Sequence, residues 1–211
     1  MIIAVDGPTA SGKGTIAKAL ARRFGLPHLD TGLLYRAVGY QVSLYEGDPD
    51  NPAEALAATN FPDELLGHPE LRSEATGGLA SRVSVHPGVR KALLERQQKF
   101  AGQPGGAVLD GRDIGTVIAP NADVKLFVTA SVEARARRRW QEMHDRGESH
   151  TLLEIEDDLR RRDERDRTRA AAPLVVPEDA FVLDTTELDK DASIAAAIDV
   201  VLQATGQQPC P

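Results

Sequence analysis

Nine residues near the start of the chain leave few folds open to it. Ile2-Ile3-Ala4-Val5-Asp6 is a short apolar run ending in an acid, and Gly7-Pro8-Thr9-Ala10-Ser11-Gly12-Lys13-Gly14-Thr15 follows directly. Beyond Lys13 the apolar residues Ile16, Ala17, Leu20, Ala21 and Phe24 recur at spacings of three and four, the period of a helix. Strand, glycine-rich loop, lysine and helix thus fall in register. Gly7 and Gly12 permit a tight wrap with backbone angles other residues avoid. The loop N–H groups and the helix N-terminus then offer partial positive charge to a phosphate. Lys13 adds a full charge within reach of β- and γ-phosphates. The strict pattern places Ser or Thr straight after the lysine; here Gly14 stands there and the hydroxyl comes one residue later, from Thr15. A ligand-free turn is the plainer alternative, and the register of all four parts argues against it.

The same alternation continues. Short apolar runs at 28–30, 107–110, 124–128 and 181–184 read as strands. Helical periods cover about 31–45, where Thr31 caps the start, then 87–100, 131–145, 152–169 and 193–202. The expected fold is α/β with three layers, α/β/α, around a five-stranded parallel sheet covered on both faces. The stretch 46–85 is the least legible, with loop composition at 47–52 and short helices broken at Gly67, Pro69, Gly77 and Gly78. No repeat or linker divides the chain, so residues 1–211 are expected to form a single domain.

No apolar run approaches the ~20 residues of a membrane span, and residues 1–6 lack the features of a signal peptide. The single cysteine, Cys210, offers neither an intrachain disulfide nor a zinc cluster. A cytoplasmic protein with no membrane partner is expected. The net charge of −7 argues against a nucleic-acid partner, so any bound anion must be held by a local basic site. Arginines outnumber lysines 19 to 6, and eleven of them lie between 135 and 169. Eleven acids share residues 133–169, so this stretch also reads as solvated, salt-bridged helix, with Arg162, Asp166 and Arg169 as ordinary helical pairs. Arg135, Arg138 and Arg139 put three cations on one helix face, which costs energy unless an anion or acid neutralises them. The five histidines show no metal-ligand spacing and read as structural, and Trp140 reads as packing on its helix.

Three further motifs sharpen the picture. Leu29-Asp30-Thr31-Gly32-Leu33-Leu34-Tyr35-Arg36, Asp110-Gly111-Arg112-Asp113-Ile114-Gly115-Thr116 and the run 162–174, from Arg162 through Asp166 and Arg169 to Leu174, follow the phosphate loop in order. Together they resemble the bacterial cytidylate kinases, within the nucleoside monophosphate kinases that carry the Gly-Lys-Gly-Thr form of the loop. The resemblance covers most of residues 2–185. It implies ATP-dependent phosphorylation of CMP or dCMP by a monomer with small-molecule nucleotides as partners. It divides the chain into a core (about 1–45, 86–130 and 170–205), a nucleotide-binding segment (about 46–85) and a helical lid (about 131–169) with residues 146–150 at its tip. Members often carry an insert of about forty residues with short strands before the Ser81-like position, so 46–80 implies a reduced or helical version.

By the same resemblance, Gly7 to Thr15 with Arg135, Arg138 and Arg139 bind ATP. Thr31, Arg36, Ser81, Arg90, Arg112, Asp113, Arg162, Asp166 and Arg169 bind CMP, with Asp113, Ser81 and Arg90 reading the base and Arg36, Arg112 and Arg169 taking its phosphate. Lys13, Arg112, Arg138 and Arg169 are the implied catalytic cations. Mg²⁺ accompanies ATP, held by Thr15 directly or through water, and by Asp110 through water. Rival readings are a kinase for UMP, AMP or a metabolite such as shikimate, and a slow ATP-hydrolysing switch that acts through a protein partner.

Overall fold

A computed structural model describes residues 1–206; Cys210 and the rest of 207–211 lie outside the described residues. Five strands, β1 (Ile2–Asp6), β2 (His28–Asp30), β3 (Ala107–Gly111), β4 (Val124–Thr129) and β5 (Phe181–Asp184), form one parallel sheet in the order β2-β3-β1-β4-β5. The chain leaves β1 toward one edge of the sheet and later crosses to the other. This reversal opens a crevice at the carboxyl ends of the central strands, where open α/β sheets bind ligands.

Side chains alternate across the sheet, as the two-residue period of a strand demands. Ile3, Val5, Val108, Leu126 and Val128 point to α1 (Lys13–Phe24) and α8 (Lys190–Thr205). Ala4, Ala107 and Leu109 face the other way, toward Ile114 and Ile118 in a wide helical turn and Ala101 of α5 (Pro87–Ala101). Each such aliphatic side chain, fully withdrawn from water, contributes about 1.5–3 kcal/mol. β5 is the exception to the buried-strand pattern. It has β4 as its one neighbour, and Phe181 and Val182 stand 44% and 59% exposed on that edge.

The segment after α2 (Thr31–Leu44) is helical. It comprises α3 (Pro52–Ala57), two short 3-10 turns at 63–67 and 69–72, and α4 (Glu74–Val83). Gly77 and Gly78 do not break it, contrary to the sequence expectation, because α4 runs through both. A Cβ at Gly77 would lie 2.9 Å from an Arg36 guanidinium nitrogen and 3.1 Å from one of Arg162, so two guanidinium groups lie close against the bare glycine. The N-cap of α2 also differs from expectation. Asp30 fills it, accepting from Leu33 N at 3.2 Å, while Thr31 sits inside the helix and donates its hydroxyl to the Asp110 carbonyl at 2.8 Å. Beyond β4, α6 (Val132–His144) and α7 (Leu152–Thr168) pair through Ala136, Met143, Ile155 and Leu159. Trp140 packs against that cluster and stacks on His144. Among the described residues no helix is long and apolar enough to cross a membrane.

Candidate active site

The crevice is a cleft of about 710 Å³ with the glycine loop as its floor and α2, α4, α6 and α7 as its walls. Gly7 must be glycine because its φ is +153° and a Cβ there would run into the Val128 carbonyl. Gly12 is left-handed at φ +89° and turns the chain into α1, whose first residue is Lys13. Thr9 through Thr15 line the cleft, while Gly7 and Pro8 lie beneath. Lys13 Nζ donates to the Pro8 carbonyl at 3.1 Å, folded over the loop it would share with a phosphate. Burial, with Arg112 nearby, lowers its pKa to about 7.

Beside the lysine stand two strand-end acids in register, Asp30 and Asp110. Burial and the facing Asp110 raise the Asp30 pKa. Asp110 Oδ2 meets His28 Nε2 at 2.7 Å, so His28, expected to be purely structural, faces a carboxylate at the cleft. Thr15 is exposed on the first turn of α1 and lines the same cleft. Among the described residues no group of three or more His, Cys, Asp or Glu stands together as a metal site. A cation here would therefore depend on oxygen donors beyond the two carboxylates.

Arginines fill the rest of the walls. Arg112 donates through Nε to Asp166 at 2.7 Å and through Nη2 to Thr9 Oγ1 at 2.6 Å, tying the phosphate loop to α7. Burial works against the charges of Arg112 and Asp166, yet each outweighs it for the other: Arg112 is raised and Asp166 lowered. Arg169 donates through Nε to the Ala172 carbonyl at 2.7 Å. Its Nη2 is buried with no hydrogen-bond partner and reaches Asp113 only at 3.8 Å. Arg36 is anchored on the carbonyls of Leu71 and Ser73, at 2.8 and 2.9 Å. Burial and the neighbouring Arg162 lower its pKa to about 10.

At the end of the cleft Asp113 is 4% exposed, clasped by Arg90, which also lies 5.4 Å from the Tyr35 ring centroid. Ser81 stands on α4 and accepts from Arg165 Nη1 at 2.5 Å. Thus the cleft gathers Thr31, Arg36, Ser81, Arg90, Arg112, Asp113, Arg162, Asp166 and Arg169 from five separate stretches of chain.

The arginine face of α6 does not act as one patch. Arg135, expected at the ATP phosphates, is 3% exposed, lies outside the cleft wall, and directs its donors to the carbonyls of Ala130 and Thr9 and to Asp163, the last at 2.6 Å. It is a buried strut between loop and α7, and the energetic reason is Asp163, which would otherwise be left unpaired. Arg138 lines the cleft but is bound to Thr185 Oγ1 at 3.0 Å and to the Thr185 and Leu188 carbonyls. Arg139 pairs with Glu74 and Glu142. Nor are 162, 166 and 169 simple helical pairs: Arg162 turns to Glu74 and Asp158, and Asp166 to Arg112.

Sequence reasoning missed Glu74, Asp163, Thr185, Arg165 and Asp30. Asp30 was discoverable, as a second strand-ending acid like Asp110. Glu74 was not, since an acid in the first turn of a helix is ordinary dipole compensation.

The family model for cytidylate kinase matches residues 3–204. A cytidylate kinase from Caulobacter sp. (strain K31) is 53% identical over 201 residues, covering 95% of this chain and 93% of its own. One from Xanthobacter autotrophicus is 55% identical over 202 residues, covering 95% and 97%. Among solved structures, an uncharacterized protein from Eubacterium ventriosum aligns over 97% of this chain and 98% of its own with a TM-score of 0.56 at 13% identity, a likeness of fold.

Proposed function

The chain belongs to the cytidylate kinase family, and from that premise we propose how its cleft works: ATP passes its γ-phosphoryl to CMP or dCMP, giving ADP with CDP or dCDP. The observation that carries this reading is the buried, unpartnered Arg169 Nη2 beside Asp113 and Arg90. A buried donor without a partner costs about 1–3 kcal/mol, and an acceptor's phosphate supplies the missing partner.

Two anionic substrates about 4 Å apart repel by roughly 4 kcal/mol per pair of unit charges at an effective dielectric near 20. Arginine forks offset this, being always charged and bidentate toward phosphate. The glycine loop and Lys13 take the donor's β- and γ-phosphates, and Arg138 and Arg139 approach from α6. Arg36, Arg112 and Arg169 take the acceptor's phosphate, with Asp166 and Arg162 beside its sugar and Thr31 on the same acceptor. The attacking oxygen belongs to that phosphate and is already anionic near neutral pH, so no general base is needed. Catalysis rests on alignment and charge neutralisation. Asp113 accepts from the exocyclic amine of cytosine, and Arg90 and Ser81 serve its acceptors.

Asp30, Asp110 and Thr15 are hard oxygen donors beside the donor-phosphate site, the chemistry Mg²⁺ selects. Bound with ATP, that ion would neutralise charge on the phosphates, and Thr15, directly or through water, and Asp110, through water, would hold it. The division into core, nucleotide-binding segment (46–85) and lid (131–169), and a cytoplasmic monomer, belong to the same reading. Replacing Arg169 with Ala tests it: CMP turnover should fall about 10²- to 10³-fold, as when one charge-stabilising donor is removed. Undiminished turnover in a coupled ADP assay would refute the assignment.

A further inference from the structure

One arginine of α7 turns to a hydroxyl rather than to an acid. Arg165 lies three residues after Arg162 and one before Asp166, so helical spacing sets it on the same side as both, and as Arg169 at the helix end. Arg160, Arg161, Arg162 and Arg167 each pair with a carboxylate. Arg165 pairs with none among the described residues. Its charge reaches Asp50, but Arg82 holds that carboxylate, with Nε at 2.9 Å. Arg165 Nη1 donates instead to Ser81 Oγ of α4 at 2.5 Å, from one wall of the cleft to another. Ser81 lines the cleft and Arg165 stands behind it.

A serine hydroxyl on a helix commonly folds back onto a carbonyl three or four residues earlier. Ser84 does so on Ser81, at 3.0 Å, and Ser43 and Ser193 do so on Tyr40 and Asp189, both at 2.7 Å. Ser81 differs. Its oxygen accepts from Arg165, and among the described residues no acceptor takes its proton. A hydroxyl has one donor and two lone pairs. Accepting from a cation polarises the group and strengthens its O–H as a donor. We propose that Arg165 is a positioning residue for the acceptor's base: it keeps the Ser81 hydroxyl on the cleft with its proton free for a cytosine acceptor. This rests on the reading of Ser81 as a base contact. One face of α7 then serves the acceptor's sugar and phosphate through Arg162, Asp166 and Arg169, and its base through Ser81.

The test is steady-state kinetics with CMP and ATP on the wild type, Ser81→Ala, Arg165→Met and the double variant. Methionine keeps an unbranched side chain and removes the donors. Arg165→Met should raise the KM for CMP about three- to tenfold, the size of one hydrogen bond, and leave kcat and the KM for ATP within about twofold. Ser81→Ala should raise the KM for CMP at least as much. On that background Arg165→Met should add nothing, because residues that act through one contact are not additive. An unchanged KM for CMP in Arg165→Met, while Ser81→Ala raises it, would overturn the proposal. Full additivity in the double variant would overturn it too, as would an equal loss through kcat or the KM for ATP, which marks a general support of the lid. An unchanged KM for CMP in Ser81→Ala would instead overturn the reading of Ser81 beneath it.

Discussion

A lysine with a pKa of about 7, lowered by burial and by Arg112, is out of place in a protein that never meets an anion. In the empty protein the folded state holds fewer protons than the unfolded state between that value and the ordinary 10.5. Stability therefore rises with pH through this window and is lower below it. Nucleotide phosphates reverse the balance by favouring the charged form. ATP binding at pH 8 should therefore draw a proton onto Lys13, seen as a binding enthalpy that depends on the ionisation enthalpy of the buffer. The uptake should vanish in Lys13→Met and fade toward pH 6; an enthalpy independent of buffer would contradict the placement of Lys13 on the donor phosphates. Asp113 carries a second prediction at this scale. Uracil presents an acceptor where cytosine presents an amine, leaving a buried acceptor pair worth about 1–3 kcal/mol. Asp113→Asn, whose amide donates, should erase most of the preference for CMP over UMP, measured as the ratio of kcat/KM values. A ratio unchanged from the wild type would remove Asp113 from base reading.

Elements were legible where a period was strong. All five strands lie where the apolar runs stand, the three central ones as buried runs bounded by turn residues and the edge strands β2 and β5 as short apolar runs that are only partly covered. The helices after the loop follow from their spacing of three and four. What the sequence did not disclose is tertiary. α4 passes through Gly77-Gly78, and two guanidinium groups pack against Gly77, a contact made by residues 41 and 85 positions away along the chain. The arginine face of α6 is legible as a charge pattern, but its partners, Asp163, Thr185 and Glu74, come from three other segments. Hence Arg135, expected at the ATP phosphates, is engaged between the loop and α7. Removing one member of a buried ion pair leaves the other uncompensated, at a cost of about 3–5 kcal/mol. Arg135→Ala should lower unfolding stability by that order in urea, and Asp163→Asn in the same background should add little further. A loss below about 1 kcal/mol, the level of an exposed pair, would contradict the strut.

At the scale of the molecule, the sheet order decides where the chemistry sits. β1 and β3 are neighbours, so the glycine loop that follows one and the Gly111-Arg112-Asp113 turn that follows the other meet at a single edge. The acidic whole, at −7, surrounds a cleft walled by arginines, which favours small phosphorylated ligands over polyanions. The donor half of that cleft was readable from nine consecutive residues. The acceptor half was readable only because several short motifs resemble one family, since its residues are scattered over five stretches and none is diagnostic alone. ADP production from ATP and Mg²⁺, with CMP, dCMP, UMP, AMP, GMP and shikimate offered one at a time, decides among the acceptor readings. Strong turnover is expected with CMP and dCMP, weak turnover with UMP, and almost none without an acceptor. A different preferred acceptor would contradict the base pocket, and one slow rate whatever the acceptor would contradict phosphoryl transfer between nucleotides altogether.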